Sequence, residues 1–195
     1  MCPLKNRKSP RAKWWDYTNP AAYFVTICTK DRSPILGEII NGKMHHSHSG
    51  IIANILWYEI KNHFRNVELD EYVIMPNHVH GIIIIKPTME TDNMEGTGQN
   101  NIVVGTGQNN MVGTGQNNIV VGTGHALSLP PPPPNLSTIV GSYKSAVTKH
   151  CNRLGLPSGW QSRYHDVIIR TEIDYQRIKK YIITNPENWD TDELA

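Results

Sequence analysis

Residues 72–85 read YVIMPNHVHGIIII, and the way this stretch is parsed decides the fold. Val73, Ile74, Ile82, Ile83, Ile84 and Ile85 suit a central strand, because β-branched side chains pack well on a pleated surface and only a strand covered on both sides is apolar throughout. Parsed this way, the stretch is one buried strand with a polar break in its middle. His78 and His80 stand in that break. Side chains alternate along a strand, so both imidazoles point to one face with Cβ atoms about 7 Å apart, while Asn77 and Val79 point to the other. Two rings at that spacing can converge on one cation. A pair of hydrogen-bonded core histidines, or part of a structural zinc site, satisfies the same spacing.

The chain around this strand has 195 residues, of which 38% are hydrophobic. That is enough for a single domain with a real core and one large insertion. No run approaches the ~18 apolar residues of a membrane span, and MCPLKNRKSPRAK at the N-terminus has no apolar secretory segment. Cys2, Cys28 and Cys151 lie far apart, which fits neither a disulfide framework nor a CxxC zinc site. Reduced thiols in a cytoplasmic protein are expected. The net charge of +2 conceals four blocks: +5 over 1–32, −4 over 33–135, +5 over 136–181 and −4 over 182–195. Two basic blocks around an acidic middle suit a polyanion partner, and ordinary solvated surface charge gives the same balance.

Residues 1–16 form a basic arm, with Lys5, Arg7, Lys8, Arg11 and Lys13 running into Trp14 and Trp15. Bases stack on aromatics where neighbouring cations neutralise phosphates; a tail whose tryptophans tuck into the domain is the simpler alternative. YFVTICT, 23–29, reads as a strand, and ILGEII with Asn41-Gly42 after it reads as a hairpin. His45, His46 and His48 are expected on a polar, Ser-rich loop. Ile52, Ile55, Leu56, Ile60, His63 and Phe64 mark one face of a helix from Gly50 to about Asn66. Residues 86–135 carry near-identical GTGQNN units and a proline run. Such repeats build no core, so this segment is expected to be a low-complexity insertion. Ile139, Tyr143, Ala146, Val147 and His150 mark a second helix, 136–153, with Lys144 and Lys149 off its apolar stripe. RYHDVIIR, 163–170, reads as a strand. Thr171 caps a last helix with Asp174 at the reciprocal position, and Asn185-Pro186 ends it near Thr184. Strands interleaved with helices covering one face predict an α+β sandwich with an antiparallel sheet in a ferredoxin-like arrangement.

On the last helix Ile178, Tyr181, Ile182 and Asn185 share a face at i, i+3, i+4, i+7. An ordinary core tyrosine fits that placement. A buried hydroxyl and a buried amide both require partners, which a metal centre on the facing strand would supply. Tyr175 lies about 240° around the helix from Tyr181, so the two cannot face one centre. Tyr164 sits on a strand.

MPNHVHGI resembles the His-hydrophobic-His motif of the HUH nucleases, and YHDVIIRTEIDYQRIKKYIITNPENW resembles the tyrosine helix of their one-tyrosine transposase branch. The likeness is to the REP-associated tyrosine transposases and extends over YFVTICT and GSYKSAVTK, leaving out the repeat insertion. It implies a single HUH transposase-like domain over 1–195. His78, His80 and Asn185 would hold one divalent cation, Mg²⁺ or Mn²⁺, and Tyr181 would be the nucleophile. The activity implied is metal-dependent nicking and rejoining of single-stranded DNA at hairpins in transposition, through a 5′-phosphotyrosine, by a monomer or homodimer. Lys5, Arg7, Lys8, Arg11, Lys13, Lys144, Lys149, Arg153, Arg163 and Arg170 would contact phosphates. A hairpin-binding protein that does not cut, or a small zinc-binding structural protein, are the rival readings.

Overall fold

The computed structural model describes residues 15–87, 134–191 and 194. The chain divides into two units, 1–88 with 133–195 and 89–132. The second unit, with nearly all of the repeat insertion, lies outside the described residues, as do Lys5, Arg7, Lys8, Arg11, Lys13 and Trp14.

Strand β1 (Ala21–Cys28) opens the domain. A two-stranded hairpin follows, β2 (Gly37–Ile40) and β3 (Lys43–His46). Asn41 and Gly42 turn it with φ of 52° and 71°, the paired left-handed geometry that matches strand twist. His45 and His46 belong to β3, and His48 begins helix α1 (His48–His63) after the Ser47 cap. The expected polar loop is therefore regular structure, because Ser47 accepts the Gly50 amide at 3.1 Å and starts the helix there.

The stretch that opened the sequence reading is two strands rather than one. Strand β4 (Val67–Ile74) and strand β5 (His78–Ile85) form an antiparallel hairpin across Met75–Asn77. Pro76 has no amide to give a ladder, and the Met75 amide instead donates to the His78 carbonyl at 2.8 Å. The polar break is a turn. Asn77 accordingly lies off the strand, and its side chain meets His78 rather than pointing to the other face.

Helix α2 (Leu136–Arg153), strand β6 (His165–Ile169) and helix α3 (Glu172–Thr184) complete the domain. The sheet order is β4-β5-β1-β6 with every neighbouring pair antiparallel. With the β2–β3 hairpin set aside, the core elements run βαββαβ, the ferredoxin-like arrangement. Helices α1 and α2 cover one face. Tyr23, Val25 and Ile27 of β1 and Val79, Ile83 and Ile85 of β5 point into that core. Trp57 lies at its centre, stacked on Tyr72 at 5.6 Å and edge-on to Tyr143 at 5.3 Å.

The buried face of α1 is Ser49, Gly50, Ala53, Trp57 and Ile60. Ile52, Leu56, Ile60 and Phe64 of the expected stripe pack on the core, while Ile55, 55% exposed, and His63 face solvent and Trp57 takes the centre of the face. Gly81 of β5 explains the choice. A Cβ there would stand 2.2 Å from Trp57 Cζ2, so the glycine is the floor on which the indole rests. On α2, His150 is exposed and Cys151 is buried in its place. Among the described residues, no helix is long and apolar enough to cross a membrane.

Candidate functional site

The second face of the sheet carries the other alternate residues, and there the chemistry of the side chains changes. Cross-strand register sets Thr26 beside His80 and Cys28 beside His78. Thr26 also pairs with His165 on β6. His78 is fully buried and His80 is 2% exposed. Their rings lie 4.4 Å apart, centroid to centroid.

Each imidazole is held at its Nδ1 side. The Asn77 amide nitrogen donates to the Leu194 carbonyl at 2.6 Å, which leaves Asn77 Oδ1 to accept from His78 Nδ1 at 2.7 Å. The proton of His78 is thereby assigned to Nδ1, and Nε2 is left as a lone-pair donor. His80 Nδ1 lies 2.9 Å from Thr26 Oγ1. Burial, and then the neighbouring His78, hold His80 well below its ordinary pKa, so this ring is neutral near pH 7, the form that ligates metal.

Helix α3 closes the site from above. Thr171 caps it by accepting the Asp174 amide at 3.1 Å, and the helix reaches Thr184 as expected. Asn185 keeps helical angles, and the chain continues as a tight 3₁₀ turn to Thr191. Tyr181 is 42% exposed, and its hydroxyl stands 3.2 Å from His80 Nε2. Phe24 lies beneath both, stacked on His80 at 5.2 Å and edge-on to Tyr181 at 6.1 Å. Asn185 is 2% exposed and opens to the same cleft as His80 and Tyr181. The structure thus brings His78, His80, Tyr181 and Asn185 together.

The two competing tyrosines lie elsewhere. Tyr164 is in the core beneath α1 and α2. Tyr175 donates its hydroxyl to Asp70 on β4. Its pKa is raised, first by burial and then by that carboxylate, so its phenolate is hard to form.

Two imidazoles and one amide make a donor set suited to a divalent cation of moderate affinity, with Mn²⁺ favoured over Mg²⁺ by the imidazoles. Among the described residues no group of three His, Cys, Asp or Glu side chains forms a metal cluster; the candidate set is completed by an amide instead. The neutral His80 ring, the hydrogen bonds that orient both imidazoles through Asn77 and Thr26, and their burial fit such an ion.

Of the expected phosphate contacts, Lys149, Arg153, Arg163 and Arg170 are exposed. Lys144 is half-buried, and its ammonium donates to the Gln161 carbonyl at 2.6 Å; burial lowers its pKa. Trp15 donates to the Tyr23 hydroxyl at 2.9 Å and packs on the core, so it belongs to the domain rather than to the arm. Sequence reasoning missed Asn77 and Thr26, and also Trp189, which stacks on His78 at 6.0 Å. Arg32 and His165 also line the cleft unforeseen.

No protein-family model matches the chain. An uncharacterized protein of Haemophilus influenzae is 31% identical over 194 residues, covering 98% of this chain and 94% of its own length. Among solved structures, a REP-associated tyrosine transposase bound to a REP hairpin superposes with a TM-score of 0.54 at 16% identity, covering 92% of this chain and 74% of the other. A putative transposase from Deinococcus radiodurans gives 0.40 at 14% identity over 89% and 95% of the two chains, below the level at which a shared fold is argued.

Proposed function

This chain belongs to one family with the Haemophilus influenzae protein and has the fold of a REP-associated tyrosine transposase, and from that premise we propose that it is a metal-dependent endonuclease and strand transferase of single-stranded DNA hairpins, acting in DNA transposition. The observation that carries this reading is the 3.2 Å approach of the Tyr181 hydroxyl to His80 Nε2, on the one face of the sheet where buried imidazoles replace apolar side chains. A core tyrosine has no reason to leave its ring 42% exposed above two buried histidines.

His78, His80 and Asn185 would hold the cation, Mn²⁺ or Mg²⁺. When bound it supplies Lewis acidity toward a phosphodiester and a fixed point for orienting it. The protein's own part is geometric. Phe24 and helix α3 hold the Tyr181 ring at the cleft mouth, so its oxygen meets a phosphate entering from solvent. In the transfer, Tyr181 Oη forms a bond to phosphorus and the P–O3′ bond breaks. The phenolic proton leaves to solvent, and the departing 3′-oxygen takes up a proton to become a 3′-hydroxyl. The 5′-phosphotyrosine retains the bond energy, so rejoining to a 3′-hydroxyl requires no nucleotide cofactor. Exposed Lys149, Arg153, Arg163 and Arg170 supply charge for phosphates of the flanking strand.

Incubation with a panel of labelled single-stranded hairpins and Mn²⁺ tests the proposal. A protein–DNA adduct is expected from the wild type and none from Tyr181→Phe, with hairpin affinity kept within about twofold, since phosphate contacts elsewhere carry affinity. His78→Ala and His80→Ala are each expected to lower adduct formation about 100-fold or more. An adduct that persists in Tyr181→Phe and disappears in Tyr175→Phe would overturn the assignment.

A further inference from the structure

Strand β4 pairs with β5 in register at Leu69–Ile83 and again at Tyr72–Gly81, so two residues of β4, Asp70 and Glu71, oppose Ile82 alone. One residue too many on one strand is a β-bulge, which re-aims side chains that the regular pleat would separate. Both flanking residues, Leu69 and Tyr72, pack on the core. The extra residue leaves two adjacent carboxylates where alternation allows one. Both reach helix α3. Asp70 accepts from the Tyr175 hydroxyl and from Lys179 Nζ at 3.0 and 3.3 Å, and Glu71 lies 3.7 Å from the same Nζ.

Little apolar packing holds α3 in place. Ile182 is its sole fully buried residue, and Ile173 and Ile183 are 82% and 59% exposed. A helix with one buried apolar side chain is weakly docked, because area removed from water is what normally holds a helix to a sheet. The Asp70 cluster grips the helix at 175 and 179, and Tyr181 follows two residues on, about 3 Å along the axis.

We propose that Asp70 is a positioning residue for Tyr181: through Tyr175 and Lys179 the bulge of β4 fixes where α3 stands on the sheet, and so where the Tyr181 hydroxyl stands relative to the histidines. The consequence for catalysis rests on the function proposed above; the docking of α3 does not. Asp70 does not line the cleft shared by His80, Tyr181 and Asn185, so losing it removes none of the candidate ligands and none of the exposed basic residues.

The test uses the full chain with Asp70→Ala and, as a variant that keeps the strand unchanged, Tyr175→Phe. Two quantities are read: backbone hydrogen exchange along α3 with α2 as the internal control, and single-turnover adduct formation on a labelled hairpin with Mn²⁺ at saturating DNA. In Asp70→Ala, amides 178–185 are expected to exchange about tenfold faster while α2 is unchanged. The adduct rate is expected to fall roughly tenfold with hairpin Kd within twofold, the mark of lost placement rather than lost binding. Tyr175→Phe moves both in the same direction by less, since Lys179 still holds Asp70. Unchanged exchange in both variants overturns the latch. Faster exchange with an unchanged adduct rate overturns the positioning role. A wild type that forms no adduct overturns the nuclease reading instead, and the exchange contrast alone then decides whether Asp70 docks α3.

Discussion

The two faces of the four-stranded sheet are made from alternate residues of the same strands, yet they do opposite work. On one, Tyr23, Val25, Ile27, Val79 and Ile83 meet α1 and α2 around Trp57. On the other, Phe24, Thr26, His78 and His80 meet a single helix that buries one isoleucine. The first face is sealed by area; the second is held by hydrogen bonds at fixed positions. Strand parity keeps them apart, since a slip of one residue would carry the imidazoles into the core and the valines into the cleft. Stability and chemistry are thus separated by about the thickness of one strand.

Trp57→Ala breaks this comparison from the apolar side and has the largest expected effect. It leaves a void over Gly81 and between Tyr72 and Tyr143, and unfolding stability measured with urea is expected to drop by about 3–5 kcal/mol. The protein that remains folded is expected to form adduct at the wild-type rate. Thr26→Val sharpens the contrast from the polar side. The hydroxyl that orients His80 is lost, and calorimetry is expected to show Mn²⁺ binding weakened about tenfold or more, while stability changes by less than about 1.5 kcal/mol. Equal loss of stability in the two variants would erase the distinction between the faces.

The smallest effect lies at Asp70. Burial raises its carboxyl, but the Tyr175 and Lys179 hydrogen bonds and the Lys179 charge outweigh this and hold it below its ordinary value. The native state therefore favours the ionised form. Its stabilisation is complete above about pH 4 and fades as pH falls further, through the lower native value. The Tm of the wild type is expected to exceed that of Asp70→Asn by about 1–2 °C at pH 6, as befits a partly exposed pair. The gap should narrow as pH falls below about 4; a gap that stays constant as pH is lowered would show that ionisation of Asp70 contributes nothing.

The site was more legible in the sequence than its supports. Parity puts His78 and His80 on one face, and helical spacing groups Tyr181 with Asn185; both are properties of a single element. Thr26, Asn77 and Trp189 touch the histidines only through strand register, a three-residue turn and a 3₁₀ return, and none of these is written in local periodicity. Strand β4 was hidden because Asp70 and Glu71 break the alternation, and that break is the bulge itself. On α1, periodicity finds Ile52, Leu56, Ile60 and Phe64 but not Trp57 at their centre, because the sheet offered space at a glycine and the largest ring took it.

That glycine also constrains how sequences of this kind can drift. No side chain can enter position 81 while an indole lies 2.2 Å from its would-be Cβ, so any change there must wait for position 57 to shrink. Shrinking position 57 first leaves a hollow core in the generation between. The reverse order forces a clash. Neither half-step is neutral, which makes 57 and 81 a pair expected to be inherited together, and makes the glycine after His80 a marker of a tryptophan that stands 24 residues earlier in the chain.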